Sequence, residues 1–190
     1  MKPDFQRDLI PRDDALHLIG ALNAMKDKLH DAAQRWELLD ENGHVPAALS
    51  YTALLQHATD AQDLSREVLR LAADFARSPH HTTPTGRTVL KHLAEAATLS
   101  SHAAPHFTET AEAAVALPRT TNPTDRHYLT NRMVIDHASA RAFLRRSSES
   151  LSDAASELDQ HLGLHRFLAS MTPQRPSPGP SPARSSPRHR

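Results

Sequence analysis

Apolar residues recur every three or four positions from Asp13 to Gly163, in stretches of about thirty residues. Gaps that contain proline separate these stretches at 45–46, 78–84 and 118–123. Because this period places apolar side chains on one face of an α-helix, the pattern predicts long amphipathic helices packed on one another. We therefore predict an all-α protein, an up-and-down four-helix bundle of long helices.

The composition supports helices and narrows the chemistry. Hydrophobic residues make up 38% of the chain and aromatic residues 4%, so alanine and leucine supply most of the packing. Cysteine is absent, which excludes disulfides, thiolate zinc sites and cysteine nucleophiles. No signal-peptide pattern opens the chain, and no stretch approaches the ~20 apolar residues of a membrane span. We expect a cytoplasmic protein without membrane contact.

The chain divides into three parts: an N-terminal arm (1–12), a helical bundle domain (13–172) and a tail (173–190). The tail is rich in proline, serine and arginine, and none of its apolar side chains is larger than proline. Such a segment buries too little apolar surface to offset the entropy of ordering, so we predict that it is disordered. The tail holds four arginines and no acidic residue, although the whole chain has a formal charge of zero.

Four helices are predicted, at 13–39, 47–77, 86–117 and 123–162. We expect Asn42-Gly43 to stop the first helix and Gly163 to stop the fourth, because these residue types tolerate the left-handed backbone conformation. Pro105 lies inside the third helix, but the apolar phase continues across it. That continuity favours one kinked helix over two independent ones.

The fourth helix carries apolar residues on two faces. One face holds Leu129, Met133, Leu144, Leu151, Ala155, Leu158 and Leu162. The nearly opposite face holds Tyr128, Ile135, Ala138 and Ala142, all in the N-terminal half. Either that half is buried on two sides, or the helix bends near Ser147-Ser148.

Charge along this helix suggests a partner. Residues 119–146 hold six arginines against two aspartates, whereas residues 147–162 hold four acidic residues and no basic one. This order opposes the helix dipole, and antiparallel pairing of two such helices would match plus to minus. We therefore predict a homodimer or a helical protein partner on the second apolar face, with a charged rim formed by Arg141, Arg145 and Arg146. The alternative is that Phe5, Leu9 and Ile10 cover this face within one chain.

Fourteen histidines raise the question of a metal site. On the third helix, five polar residues share about 100° of arc: His92, Glu95, His102, His106 and Glu109. Imidazole and carboxylate are good metal ligands, but this arc lies about 130° from the apolar stripe, which favours a solvated face. These five are therefore weak candidates, as are Asp27, His30 and Asp31 on the first helix. We predict no cofactor.

The motifs favour a non-enzymatic protein. No glycine-rich phosphate loop and no nucleophile-elbow motif occurs. The interpretation we favour is a helical interaction or regulatory protein that acts through helix surfaces. The alternatives are a metal-binding or small-ligand-binding bundle, and a nucleic-acid accessory protein that uses the tail residues Arg175, Arg184, Arg188 and Arg190. A pH-sensing surface is a further hypothesis, although compositional bias explains the abundant histidine more simply.

Overall fold

The computed structural model describes residues 9–171, except for the side chains of residues 165, 166 and 168–171. Within that range the chain forms five α-helices and no β-strand. They are α1 (Arg12–Arg35), α2 (Tyr51–Arg77), α3 (Pro84–Ser101), α4 (Ala103–Ala116) and α5 (Pro123–Met171). Because α3 and α4 follow one another as a single arm, the predicted all-α four-helix bundle is confirmed.

Helix α5 is the central element, since it packs along α1, α3 and α4. The Ser148 hydroxyl of α5 donates to the Lys26 carbonyl of α1 (3.2 Å), and the Arg141 Nε donates to the Ala33 carbonyl (2.6 Å). The later residue on α5 meets the earlier one on α1, so these two helices are antiparallel. Helix α2 packs against α3 and α4 but touches α1 much less.

The predicted apolar stripes form the core. On the α3–α4 arm every stripe residue is buried: Val89, Leu93, Ala96, Ser100, Ala103, Phe107, Ala111 and Ala114. On α5, Met133, Leu144, Leu151 and Leu158 are fully covered. A second, smaller apolar cluster contains Leu38, Leu54 and Met133 and closes the end of the bundle where the α1–α2 loop returns.

Pro105 causes the break between α3 and α4. Pro105 has no N–H to donate to the carbonyl of Ser101, four residues earlier, and its ring crowds that carbonyl. The helix loosens at His102, whose N–H donates instead to the carbonyl of Leu99 (3.1 Å). Since His102 stays in the right-handed helical region (φ −81°, ψ −16°), the apolar phase continues into α4. The arm is one kinked unit, as predicted.

Helix α1 ends at Arg35, earlier than the predicted residue 39. Trp36 turns to an extended conformation, and its indole stacks on His57 of α2 with ring centroids 5.0 Å apart. This tertiary contact ends the helix, a step that local propensity does not encode. Asn42-Gly43 instead forms a turn in the loop that follows, where Gly43 takes a positive φ of 77°.

Two other helix ends also differ from the prediction. Helix α2 begins at Tyr51, not at 47, because the Ser50 hydroxyl accepts a hydrogen bond from the Ala53 N–H (3.3 Å) and caps it. Helix α5 continues past Gly163 to Met171, so the predicted stop at Gly163 is wrong. A helical glycine costs only about 1 kcal/mol, which is too little by itself to end a helix.

The described part of the N-terminal arm lies against the C-terminal half of α5. Ile10 is buried, and its N–H donates to Nε2 of buried His161 (3.0 Å). This contact is far along α5 from Ile135, which lies on the predicted second apolar face. Leu9 and Ile10 therefore leave that face uncovered, and Phe5 lies outside the described residues.

Candidate functional site

The second apolar face of α5 is solvent-exposed in the bundle. Tyr128 is 65% exposed and Ile135 is 63% exposed. Ala138 is also exposed, whereas Ala142 is half-buried. Because Tyr128 and Ile135 are exposed, the N-terminal half of α5 is not buried on two sides.

Of the three predicted rim arginines, Arg141 has hydrogen-bond and ion-pair partners among residues 9–171. Arg141 is half-buried, donates to the Ala33 carbonyl and lies 3.9 Å from the carboxylate of Glu37. It therefore fastens α5 to the end of α1. Arg145 and Arg146 are exposed and remain candidates for a partner contact.

The extension of α5 past Gly163 adds two apolar residues to the same face. Leu164 is 55% exposed and Phe167 is 57% exposed. At 100° per residue, these two and Tyr128 and Ile135 fall within about 60° of arc. The sequence interpretation missed this half of the surface because it ended the helix at Gly163. We call the surface of these four residues the outer face of α5.

The middle of the outer face is charged. Arg146, Glu149 and Asp153 are all exposed, and they fall within the same arc of about 60°. Along α5 the face is thus apolar, then basic, then acidic, then apolar again.

A polar cluster lies between α4 and α5. The Nδ1 atom of His106 is 3.3 Å from a carboxylate oxygen of Glu109 and 3.5 Å from Oδ1 of Asp136. The three ligand atoms all lie within 4.8 Å of one another, and of the groups described they alone have the arrangement of a metal site. Two of the five weak candidates of the third helix therefore do meet a third potential ligand, which comes from α5.

The other three weak candidates on this arm do not join the cluster. Glu95 and His102 are exposed, and His92 is half-buried. The ring of His106 stacks on Phe143 of α5 (centroids 5.5 Å apart, planes at 14°), and His102 packs on the same ring less closely aligned. The prediction of a solvated face is therefore wrong for His106, because α5 covers that side of the arm.

Arg132 forms ion pairs with two carboxylates next to this cluster. Its Nε lies 3.5 Å from Oδ2 of Asp136, and its Nη2 lies 3.7 Å from Glu112. Two carboxylates, those of Glu112 and Asp136, therefore pair with one guanidinium on this seam. Asp136 is only 9% exposed, so part of this charge is held away from solvent.

A separate cluster of aromatic rings lies inside the bundle. Phe107 of α4 meets Trp36, His57 and His137 edge-on, with ring centroids 5.3–5.8 Å apart. The imidazoles of His57 and His137 lie 6.2 Å apart. Nδ1 of His57 and Nε2 of His137 are buried without a hydrogen-bond partner in the described part of the chain.

Burial lowers the pKa of both imidazoles. Desolvation, with smaller contributions from His57 and Arg141, lowers the pKa of His137 from 6.5 to about 4. Desolvation also lowers the pKa of His57, and the carboxylate of Asp60 partly opposes it. A cavity of about 350 Å³ lies beside His137, between the loop at 37–43 and α5. The sequence did not predict that these rings meet, because they come from four separate segments of the chain.

The weak candidates on α1 line a groove instead of a metal site. Asp27 and Asp31 border a cavity of about 560 Å³ where α1 and α2 separate, opposite Asp60, Asp63 and Glu67. His30 is exposed, and its Nε2 lies 2.8 Å from the side-chain nitrogen of Gln34. The predicted tail, with Arg175, Arg184, Arg188 and Arg190, lies outside the described residues.

Comparison of the chain with protein-family models, with curated proteins and with solved structures gives no match. Across residues 9–171, no helix combines the length and the apolar character that spanning a membrane requires.

Proposed function

We propose that this chain is a non-enzymatic interaction protein that self-associates through the outer face of α5. The observation that carries the proposal is the exposure of four large apolar side chains on one side of one helix: Tyr128, Ile135, Leu164 and Phe167. Clustered exposed apolar side chains mark interaction sites, whereas single exposed residues need no explanation. Here they form two pairs, one at each end of the face. Helices α1, α3 and α4 pack along other sides of α5, and Tyr128 and Ile135 stay exposed, where a second protein can contact them.

The charge pattern favours a second copy of the chain as the partner. In an antiparallel pair with its two-fold axis between Ser147 and Ser148, Arg146 of one copy lies level with Glu149 of the other. The same register sets Tyr128 level with Phe167. Both apolar ends and both charged pairs therefore match at once, as an isologous two-fold contact requires.

The area of the outer face sets the expected strength of self-association. From Tyr128 to Phe167 the helix extends for about 58 Å at 1.5 Å per residue. A strip of this length and about 10 Å wide covers roughly 600 Å² per partner, below the ~800 Å² of a standard interface. We therefore expect a dimer in concentration-dependent exchange with the monomer.

Sedimentation velocity of the full chain over a wide concentration range tests the proposal. The wild type should shift from monomer to dimer as concentration rises, and Ile135→Glu should stay monomeric because it places a charge in the apolar seam. Leu69→Glu is the matched control: Leu69 is 60% exposed on α2, away from the outer face, so this variant should dimerise normally.

Charge reversal then tests the register. Arg146→Glu sets acid against acid in the antiparallel pair and should weaken dimerisation, and the double variant with Glu149→Arg should restore it. A wild type that stays monomeric at every concentration refutes self-association. If the dimer survives Ile135→Glu but not Leu69→Glu, a different surface mediates it.

A further inference from the structure

We propose that His106, Glu109 and Asp136 bind a divalent first-row transition metal, of which Zn²⁺ is the probe of choice, at the seam of α4 and α5. The site is independent of the outer face of α5. Its first two residues are three positions apart on α4, which places both on one side of the helix. The third comes from the antiparallel neighbour, so the packing of two helices assembles the site.

The separations of the three ligand atoms suit a tetrahedral ion. Zinc binds imidazole nitrogen and carboxylate oxygen at about 2.0–2.2 Å, which sets ligand atoms roughly 3.3–3.6 Å apart at tetrahedral angles. Nδ1 of His106 lies 3.3 Å from the Glu109 oxygen and 3.5 Å from the Asp136 oxygen. All three atoms lie within 4.8 Å of one another, so a small movement of the half-exposed Glu109 completes the set.

Unsatisfied polar atoms point to a ligand at this position. Nδ1 of His106 is buried and makes no hydrogen bond to any described residue. Oδ2 of Asp136 also makes no hydrogen bond there, but it is ion-paired with Nε of Arg132 at 3.5 Å and is not the oxygen that faces His106. Buried polar atoms of this kind are rare in native proteins and call for a partner such as an ion. The side chain of Asp136 is 12% exposed, and its Oδ1 lies 3.5 Å from Nδ1 of His106.

Charge favours a cation at the same place. Glu109, Glu112 and Asp136 outnumber Arg132 by two negative charges, which a divalent ion would neutralise. Stacking on Phe143 fixes the imidazole plane of His106, so little side-chain entropy remains to be lost on binding.

The donor set selects the class of metal. One nitrogen and two carboxylate oxygens suit zinc and its first-row neighbours, whereas Mg²⁺ and Ca²⁺ prefer six or more oxygen ligands. Three protein ligands leave a fourth position for water. Glu109 is the most exposed of the three, with 45% of its side chain accessible, so this position opens on its side.

Isothermal titration of metal-free full-length protein with ZnCl₂ tests the site. Other histidines of the chain will also take up zinc, so the informative quantity is the tightest equivalent that a variant loses. Changing a residue in a second coordination shell costs 10–100-fold in affinity, so Asp136→Asn and Glu109→Gln should each weaken this equivalent by at least about 100-fold. His30→Asn, at an exposed histidine of α1, should leave it unchanged.

Two further measurements make the outcome decisive. Circular dichroism confirms that each variant is folded, and Glu109→Gln should pass this check because its side chain is half-exposed. Co²⁺ bound to the wild type should give the intense visible absorption of a four-coordinate site, and Asp136→Asn should abolish it. If both variants bind zinc as tightly as the wild type does, or if cobalt gives only a weak six-coordinate spectrum, the proposal is wrong.

Discussion

Replacing His137 with leucine should reduce the acid sensitivity of the bundle. His137 is 2% exposed, and its Nε2 is buried without a hydrogen-bond partner among the described residues. Desolvation lowers its pKa in the folded state to about 4, against 6.5 in the unfolded chain. Each pKa unit corresponds to about 1.4 kcal/mol, so unfolding in acid gains up to about 3 kcal/mol from protonating this one imidazole.

The direction of the effect follows from proton linkage. Between pH 6.5 and 4 the unfolded chain binds a proton at His137 that the folded protein does not bind. The free energy of unfolding therefore falls as pH drops through this window and levels off below pH 4. Leucine fills a similar volume and cannot titrate, so at pH 7 the variant should be as stable as the wild type or slightly more stable.

Urea denaturation, followed by helical circular dichroism at several pH values from 7 to 4, measures this difference. The stability advantage of His137→Leu over the wild type should grow by about 3 kcal/mol across the window. Ser147→Ala, which changes no titratable group, should give a curve parallel to that of the wild type. If the curves of His137→Leu and the wild type are also parallel, the imidazole is not held neutral by burial.

Two glycines and one serine give further stability predictions, each measured by thermal unfolding. A Cβ on Gly86 would lie 1.9 Å from the carbonyl oxygen of His80, so Gly86→Ala should destabilise by at least about 2 kcal/mol. At Gly163 no atom lies within 4 Å of such a Cβ, so Gly163→Ala should stabilise α5 by up to about 1 kcal/mol. Equal changes in stability for the two glycine variants would refute the steric argument. Ser147→Ala should lower the free energy of unfolding by about 1 kcal/mol, because the buried Ser147 hydroxyl donates to the Ala96 carbonyl (2.9 Å). An unchanged stability would mean that this hydrogen bond contributes nothing.

Periodicity was sufficient to predict the core. The stripe from Val89 to Ala114 is buried throughout, and it even crosses Pro105, because a proline interrupts hydrogen bonds without changing the direction that successive side chains take. Helix ends were less predictable. Trp36 leaves α1 where its indole stacks on His57 of α2. Helix α5 passes through Gly163, because one helical glycine costs only about 1 kcal/mol.

The candidate sites were predictable only where one helix carries them. Tyr128 and Ile135 share a face of one helix, so helical spacing alone identified them. The spacing of His106 and Glu109 likewise made them candidates, but a single helix cannot show that Asp136 of another helix approaches them. For the same reason the predicted solvated face does not hold at His106, which Phe143 of α5 covers. Knowledge of which helix packs on which was the missing information.

Three consecutive residues of α5 show that this helix contacts different surroundings on different sides. Ile135 faces solvent, Asp136 faces α4 and His137 lies in the aromatic cluster, since successive residues turn by about 100°. Substitutions at these three positions therefore address different properties: self-association, metal binding and the acid dependence of stability. Ile135→Glu should change only the first, Asp136→Asn only the second and His137→Leu only the third. A single substitution that altered all three would show instead that α5 responds as one unit, and that these surfaces are energetically coupled.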